Sequence, residues 1–496
     1  MAKSKVVKNK VDNSKKLTSF KSYEQNKILS MVLNKLEFKD LINLNTVNKQ
    51  WNELINPICK DSLKITRPMY VVRGYHPSDI SDSDKLGLEV RACISNNEKY
   101  SKLITKFKWN THIPTNLTIE FFAKFSNLTH LFINKISLSQ DIILAAIQPL
   151  KKLSVLSFKD VNIKAIVKNR IFKNRITLPH TLKKIEFEHV RLTGNTELFT
   201  DSINSHSNIE EVVFDSYSNI NLIDSLKKFY PTLNTLKIIS TYRDIDLDSL
   251  LKIIEFNPQL KSLEIHSNQI NQALLDSISN LIDLEELVIG HTTGHYNIQN
   301  FNFNIEFNFN FNFLKLKKLN IYLTRLNLKC FEKLLINSVN LKELHIALSE
   351  TNWKDQLRLI SNSCSSLTHL TIHIPRGDYN HERGTMPLID SDEFLEELQL
   401  SGRKFKNTLK SLSLSNVALF KLDPTHFSIF SELTVINLRC YSSQHDNVTL
   451  KNARDHFKEF DGFILRRFKN KWGNECYLSK AGNLLNSLDW SEYYHW

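Results

Sequence analysis

The chain has 496 residues, 41% of them hydrophobic and 24% charged, with a formal net charge of +13. That is enough chain to bury a sizeable core, and the balance is that of a folded protein rather than a disordered one. Gly and Pro number 11 each, far below the usual roughly 7% and 5%, which excludes collagen-like and Pro-rich chains and argues against glycine-rich phosphate cradles.

Residues 1–21 carry seven lysines against Asp12, a local +6, and residues 451–471 carry seven Lys or Arg against Asp455, Glu459 and Asp461, a local +4. The basic excess belongs to two short segments and not to a groove. Residues 1–21 read as a solvated, disordered basic tail or as a nuclear-import or nucleic-acid patch. The lysines are scattered, with no Arg or aromatic among them before Phe20, which favours the tail. No apolar run follows the basic start, as a signal peptide would need. Ile142–Leu150, the longest mostly apolar stretch, includes Gln148 and Pro149 and is far short of the roughly 20 residues of a membrane span. Six cysteines at 59, 93, 330, 364, 440 and 476 show no C-x-x-C spacing. Neither a zinc module nor a disulfide framework is written here, and a reducing compartment is expected, cytoplasmic and/or nuclear.

Residues 22–62 read as a small helical module. Ile28, Leu29, Val32, Leu33 and Leu36 lie on one helical face. Asp40 is placed to cap a second helix carrying Leu41, Leu44 and Val47, and Trp51, Leu54 and Ile55 fit a third. So short a segment with so much apolar surface needs a partner, either the next turn of its own chain or another protein. Residues 63–100, with Asp79, Asp82 and Asp84, read as a linker and N-terminal cap, since the calcium-loop spacing is missing.

From Ile104 one pattern recurs: apolar, two variable residues, apolar, one variable, apolar. It starts at Ile104, Leu128, Leu153, Leu182, Ile209, Leu233, Leu260, Leu284, Leu316, Leu341, Leu367, Leu409 and Leu433, mostly at steps of 24–29 residues. The last two apolar residues are two apart, so in a strand they share one side. Stretches with helical spacing follow, such as Ile142–Leu153, Leu250–Ile254, Leu274–Leu281, Phe331–Ile336 and Leu357–Ile360. A strand and a helix every 24–29 residues cannot bury a core alone. Stacked, they predict an α/β solenoid over residues 101–444, with parallel strands on the concave side and helices on the convex side. Two steps are long. One holds the Phe/Asn alternation 301–313, read as a low-complexity expansion or a sticky segment, and the other holds Pro375–Pro387, read as a binding loop or a tolerated insertion. The aromatic-rich residues 445–496 read as a C-terminal cap.

The repeat resembles the helix-backed form of the leucine-rich repeat, and turns such as Phe229-Tyr230-Pro231-Thr232-Leu233 and Asn257-Pro258-Gln259-Leu260 look like its helix-to-strand turns. The module at 22–62 resembles the F-box in Ile28-Leu29, Val32-Leu33, Leu36, Asp40-Leu41, Leu44, Val47, Lys49, Trp51 and Leu54-Ile55, although Glu24-Gln25-Asn26-Lys27 stands where the family opens Leu-Pro-x-Glu. A helical cap on the array is the other reading of this module. The order, F-box ahead of leucine-rich repeats, is that of a known family. The resemblance implies a substrate-recognition subunit of an SCF-type cullin-RING ubiquitin ligase, with no catalysis of its own. Its partners would be the SCF adaptor subunit, cullin through it, and a protein substrate, with no membrane; a nucleic-acid binder using the basic ends is the least favoured reading. Ile28, Leu29, Val32, Leu33, Leu36, Leu41, Leu44, Val47 and Trp51 would contact the adaptor, Trp51 serving equally well as core. A protein-binding repeat scaffold without a ubiquitin role is the alternative.

The concave side should display the variable strand positions, among them Glu186, Glu188, Glu211, Asp215, Glu264, His266, Glu286, Tyr322, Glu343, His345, His369 and His373. Carboxylates outnumber lysines between Glu186 and Glu286, which predicts a basic patch on the substrate. His345, His369 and His373 should face one way at diagonal spacings of about 7–8 Å. Three readings stay open for them: a metal site, a pH-sensitive contact, or ordinary solvated residues. No nucleotide, hydrolase or zinc-protease motif occurs, and no cofactor or metal is expected.

Overall fold

The structure, a computed structural model, describes residues 62–64, 82–165, 171–215, 220–224, 226–239, 246–266, 270–290, 313–322, 326–349, 351–374, 391–416, 422, 424–440, 450–460, 462–469 and 474–480. The chain forms two compact units, residues 1–182 with 193–202, and residues 183–192 with 203–496. Both are α/β, and the sheet in each is mostly parallel.

In the first unit, strands Ser62–Lys64, Lys106–Trp109, His130–Asn134 and Val155–Lys159 pair in parallel, in that order. The sheet therefore starts at Ser62, before the segment 63–100 expected as linker and cap. Part of that segment is this first strand, and Asp82–Asn97 is a 16-residue helix. Immediately after strand His130–Asn134, Lys135 takes φ 53°, and Asp160 does the same immediately after Val155–Lys159. These left-handed residues turn the chain into short parallel strands Ser137–Ser139 and Asn162–Lys164. Period 2 puts Phe107 and Trp109 on one side, where helix Thr115–Lys124 meets them with Phe121 and Phe122. Ring centroids lie 4.7 Å apart for Phe107 and Phe121 and 5.2 Å for Trp109 and Phe122. Complete burial of such rings is worth about 1.5–3 kcal/mol each as an upper figure. The buried Gln140 stitches turns together: its Nε2 donates to the Asn195 carbonyl at 3.1 Å, and its Oε1 accepts from the Phe199 amide at 3.0 Å.

In the second unit ten strands run parallel in chain order: Lys184–Glu188, Glu211–Asp215, Thr235–Ile239, Ser262–His266, Glu286–Gly290, Lys318–Tyr322, Glu343–Ala347, His369–His373, Ser411–Ser415 and Val435–Cys440. Each begins two residues after a repeat start, because the variable residues of the motif are the outward strand positions. The register aligns like with like. Leu236, Leu263, Leu287, Leu319, Leu344, Leu370, Leu412 and Ile436 sit opposite one another in succession, each at most 1% exposed. Helices Leu247–Phe256, Gln272–Ser279, Leu328–Ile336 and Trp353–Ser363 fill the expected places between strands. Asn271 and Asn327 start two of them by accepting from Leu274 N (2.9 Å) and Lys329 N (2.8 Å).

The residue before or near each strand often carries a hydroxyl that bonds back to the preceding turn. In the first unit Thr129 donates to Thr105 O (3.1 Å), Ser154 to Thr129 O (3.0 Å) and Thr181 to Leu153 O (2.7 Å). In the second Thr232 donates to Ile209 O (2.8 Å), Thr368 to Lys342 O (3.0 Å), Thr408 to Leu367 O (2.8 Å) and Thr434 to Lys410 O (3.1 Å). At Asn257-Pro258-Gln259-Leu260 the fully buried Asn257 accepts from Tyr230 N at 2.9 Å and donates to Lys228 O at 3.0 Å. It closes two successive helix-to-strand turns at once.

The segment expected as a C-terminal cap, 445–496, contributes helix Leu450–His456 and two antiparallel strands. Asn474–Lys480 pairs with Val435–Cys440, and Phe463–Lys469 pairs with Asn474–Lys480. The direction of pairing thus reverses where the repeat stops. Of the Phe/Asn alternation only Phe313 is described, 3% exposed. The loop Pro375–Pro387 and the basic tail 1–21 lie outside the described residues.

Candidate functional site

The strand side opposite the leucine ladder displays the first, third and fifth residue of each strand. Glu186, Glu188, Glu211, Glu264, Glu286, Tyr322, Glu343 and His373 are half-buried there, and His369 is exposed. Of His266 only the backbone, in strand Ser262–His266, is described. Two residues expected at the surface are not: Asp215 is 4% exposed and His345 is 8% exposed.

The expected surplus of carboxylates meets lysines within the face itself. Lys184 reaches Glu186 at 2.8 Å and Glu211, directly opposite, at 2.9 Å. Burial opposes the Lys184 charge, yet the hydrogen bonds to the two carboxylates outweigh it and raise its pKa. Lys237 lies 3.5 Å from Glu264, across the pair the register sets opposite. Lys318 holds Glu286 at 2.7 Å, and Glu286 also accepts from Ser262 Oγ at 3.0 Å. Asp215 is buried because it has a partner, His189 Nε2 at 3.1 Å. These half-exposed pairs are worth little to stability, about 0–1 kcal/mol each. Their larger effect is to neutralise the face laterally.

The three histidines differ from one another. His345 is pushed down to about 3 by burial first, with Lys318, His373 and His369 adding to it. His373 is pushed down to about 4, again by burial first and then by Arg439. Its Nδ1 is hydrogen-bonded to Ser415 Oγ at 2.7 Å. His369 shares a hydrogen bond of 2.9 Å with Thr368 Oγ1. His345 and His373 are thus neutral at pH 7, and His345 is not a solvated residue. Among the described residues no group of three His, Cys, Asp or Glu is placed to hold a metal ion.

Strict alternation misses one more feature. In strands Glu286–Gly290, Lys318–Tyr322 and Glu343–Ala347 the central outward residue is buried too: Val288 at 5%, Asn320 at 9% and His345 at 8%. They stand side by side in register. The fifth positions alternate in size, with Gly290, Tyr322, Ala347 and His373 following one another. The Tyr322 and His373 rings meet at 5.9 Å across Ala347. Gly290 has φ +110°, and a Cβ there would lie 3.0 Å from the Tyr322 Cβ. The sequence signal for this was present in Val288 and Asn320, an apolar and a neutral residue where earlier strands carry Lys237 and Glu264.

Ile28, Leu29, Val32, Leu33, Leu36, Leu41, Leu44, Val47 and Trp51 lie outside the described residues. They fall within the stretch where the chain carries an F-box domain, whose family profile matches residues 26–61. F-box domains in general bind the SCF adaptor and, through it, cullin. No curated protein matches the chain. Among solved structures the one titled "Crystal structure of TLR13-ssRNA13 complex" is similar at TM-score 0.31 and 16% identity, over 68% of this chain and 53% of that one. The chain spans about half the length of that structure's chain, and a likeness so slight decides nothing about fold or function. No helix among the described residues is long and apolar enough to cross a membrane.

Proposed function

We propose that this chain is the substrate-recognition subunit of an SCF-type cullin-RING ubiquitin ligase. The F-box docks on the adaptor, and the strand side of a leucine-rich-repeat solenoid holds a protein substrate. The observation that carries the reading is the F-box match at 26–61 directly ahead of strands that recur two residues after each repeat start. Regular strand–helix repeats give a long face of variable side chains on a fixed ladder, which suits protein binding. Such a subunit does no chemistry. It raises the effective concentration of a substrate lysine near the conjugating enzyme. Leu29, Val32, Leu33, Leu36 and Leu41 are assigned to the adaptor contact, and the array to residues 101–444.

The test is adaptor binding by the purified chain, with Leu33→Asp beside it. A buried contact leucine replaced by a charge should abolish binding, with the circular dichroism spectrum unchanged. A well-folded wild type that binds no adaptor would leave a protein-binding scaffold without a ubiquitin role.

A further inference from the structure

Four residues on two neighbouring strands of the second unit form a square on the outward face. Lys318 is opposite Glu343, and Asn320 is opposite His345. Neighbouring strands lie about 4.8 Å apart, so the four residues are neighbours on one face. Lys318 is engaged on its far side by Glu286 at 2.7 Å. Glu343 is half-buried, and its carboxylate has no ion-pair or hydrogen-bond partner among the described residues, unlike Glu186, Glu211, Glu264 and Glu286 on the same face. Asn320, 9% exposed, keeps its Oδ1 buried with no hydrogen-bond partner. His345, 8% exposed, makes no ring hydrogen bond among the described residues.

A buried amide oxygen without a donor is costly, and so is a half-buried carboxylate without a cation. Lys318 and Glu286 neutralise each other, so with Glu286 counted the site carries one net negative charge, on Glu343, with a neutral acceptor beside it. An incoming carboxylate or phosphate would meet Glu343 and an acceptor oxygen, both repulsive, while the one cation there, Lys318, is already held by Glu286. An ammonium group is a compact point charge, whereas a guanidinium presents five donors in a fixed plane and can serve Glu343, Asn320 and His345 together. Tyr322 follows Asn320 on the same side of its strand, and its ring meets that of His373. An aromatic ring beside the square suits a flat cation stacked on its face.

We infer that Glu343, Asn320 and His345 form a subsite for an arginine side chain of a protein partner. The source of the arginine rests on the substrate-receptor reading; the chemistry of the subsite does not.

The full chain, with labelled histidine, is titrated with N-acetyl-arginine N-methylamide while the His345 ring resonances are followed by NMR. The lysine and citrulline analogues run beside it. A saturable shift is expected with the arginine analogue, about fivefold weaker with lysine and absent with the uncharged citrulline. Glu343→Gln should weaken the arginine response about tenfold and leave the other histidine resonances in place. Equal responses to arginine and lysine, an arginine response untouched by Glu343→Gln, or no response to any probe would overturn the subsite. Adaptor binding is measured on the same samples and should be unchanged by Glu343→Gln. A wild type that binds arginine but no adaptor would defeat the ligase reading and keep the subsite.

Discussion

The strands from Lys184 to His266 and those from Glu286 to His373 share one inward ladder and differ in what they turn outward. In the first stretch Lys184, Glu186, Glu211, Lys237 and Glu264 stay half-exposed and neutralise one another between strands. In the second, Val288, Asn320 and His345 are buried in a row, and charge is confined to the first positions, Glu286, Lys318 and Glu343. The backbone and the leucines do not set this difference, since the register is continuous through both. It comes from single outward residues. A charged third position stays near water, whereas a neutral one can be covered. A repeat frame can thus hold a charged strip and a recessed neutral one without changing its core.

Four substitutions probe that contrast. The largest effect should come from the shared ladder. Leu263→Ala and Leu344→Ala, one in each stretch, should each cost about 2–5 kcal/mol in denaturant unfolding. Similar losses would support a common core, and a clear gap between them would mean the stretches are packed differently inside as well as outside. Next comes acid. His345 and His373 are neutral when folded, with pKa values of about 3 and about 4, and they protonate near 6.5 once unfolded. The unfolded state therefore binds more protons below 6.5, so stability is full above that pH and falls from about 6.5 down to about 4 for His373 and about 3 for His345, by up to about 1.4 kcal/mol per pH unit per histidine. His345→Gln should flatten that fall, and an unchanged slope would mean the burial of His345 has no thermodynamic weight. The smallest effect belongs to the charged stretch. Lys184→Met should cost about 0–1 kcal/mol, and raising the salt concentration should shrink the difference. A larger, salt-insensitive loss would show that these pairs are structural rather than lateral neutralisation.

Much of the strand pattern was legible because it is local. Each repeat start, from Ile104 to Leu433, is buried, and a strand begins two residues later, since alternation and spacing alone decide that. Helices such as Trp353–Ser363 followed from their spacing in the same way. What escaped the sequence depends on neighbours. Asp215 looks like a surface acid until His189 is placed beside it. His345 looks outward-facing and solvated until Asn320 is placed directly beside it. Ser62–Lys64 is too short to show periodicity, and its partner Lys106–Lys108 is far along the chain. The antiparallel strands Phe463–Lys469 and Asn474–Lys480 follow no repeat, so only the aromatic content marked that segment as an ending. The Thr residues ahead of the strands were visible in Leu128-Thr129, Leu367-Thr368 and Leu433-Thr434, but their bonds to the preceding turn appear only once the turns are stacked.

Those hydroxyl bonds bear on how the chain opens. Each ties one turn to the turn before it, and the strands likewise pair with the nearest strand in the chain. Cohesion is therefore a matter of adjacency. A break at one turn deprives its immediate neighbours of support and leaves distant turns intact. Amide hydrogen exchange should therefore be fastest where a strand has one neighbour and slowest around Leu319 and Leu344, giving a gradient of protection along the sheet instead of a single collective opening.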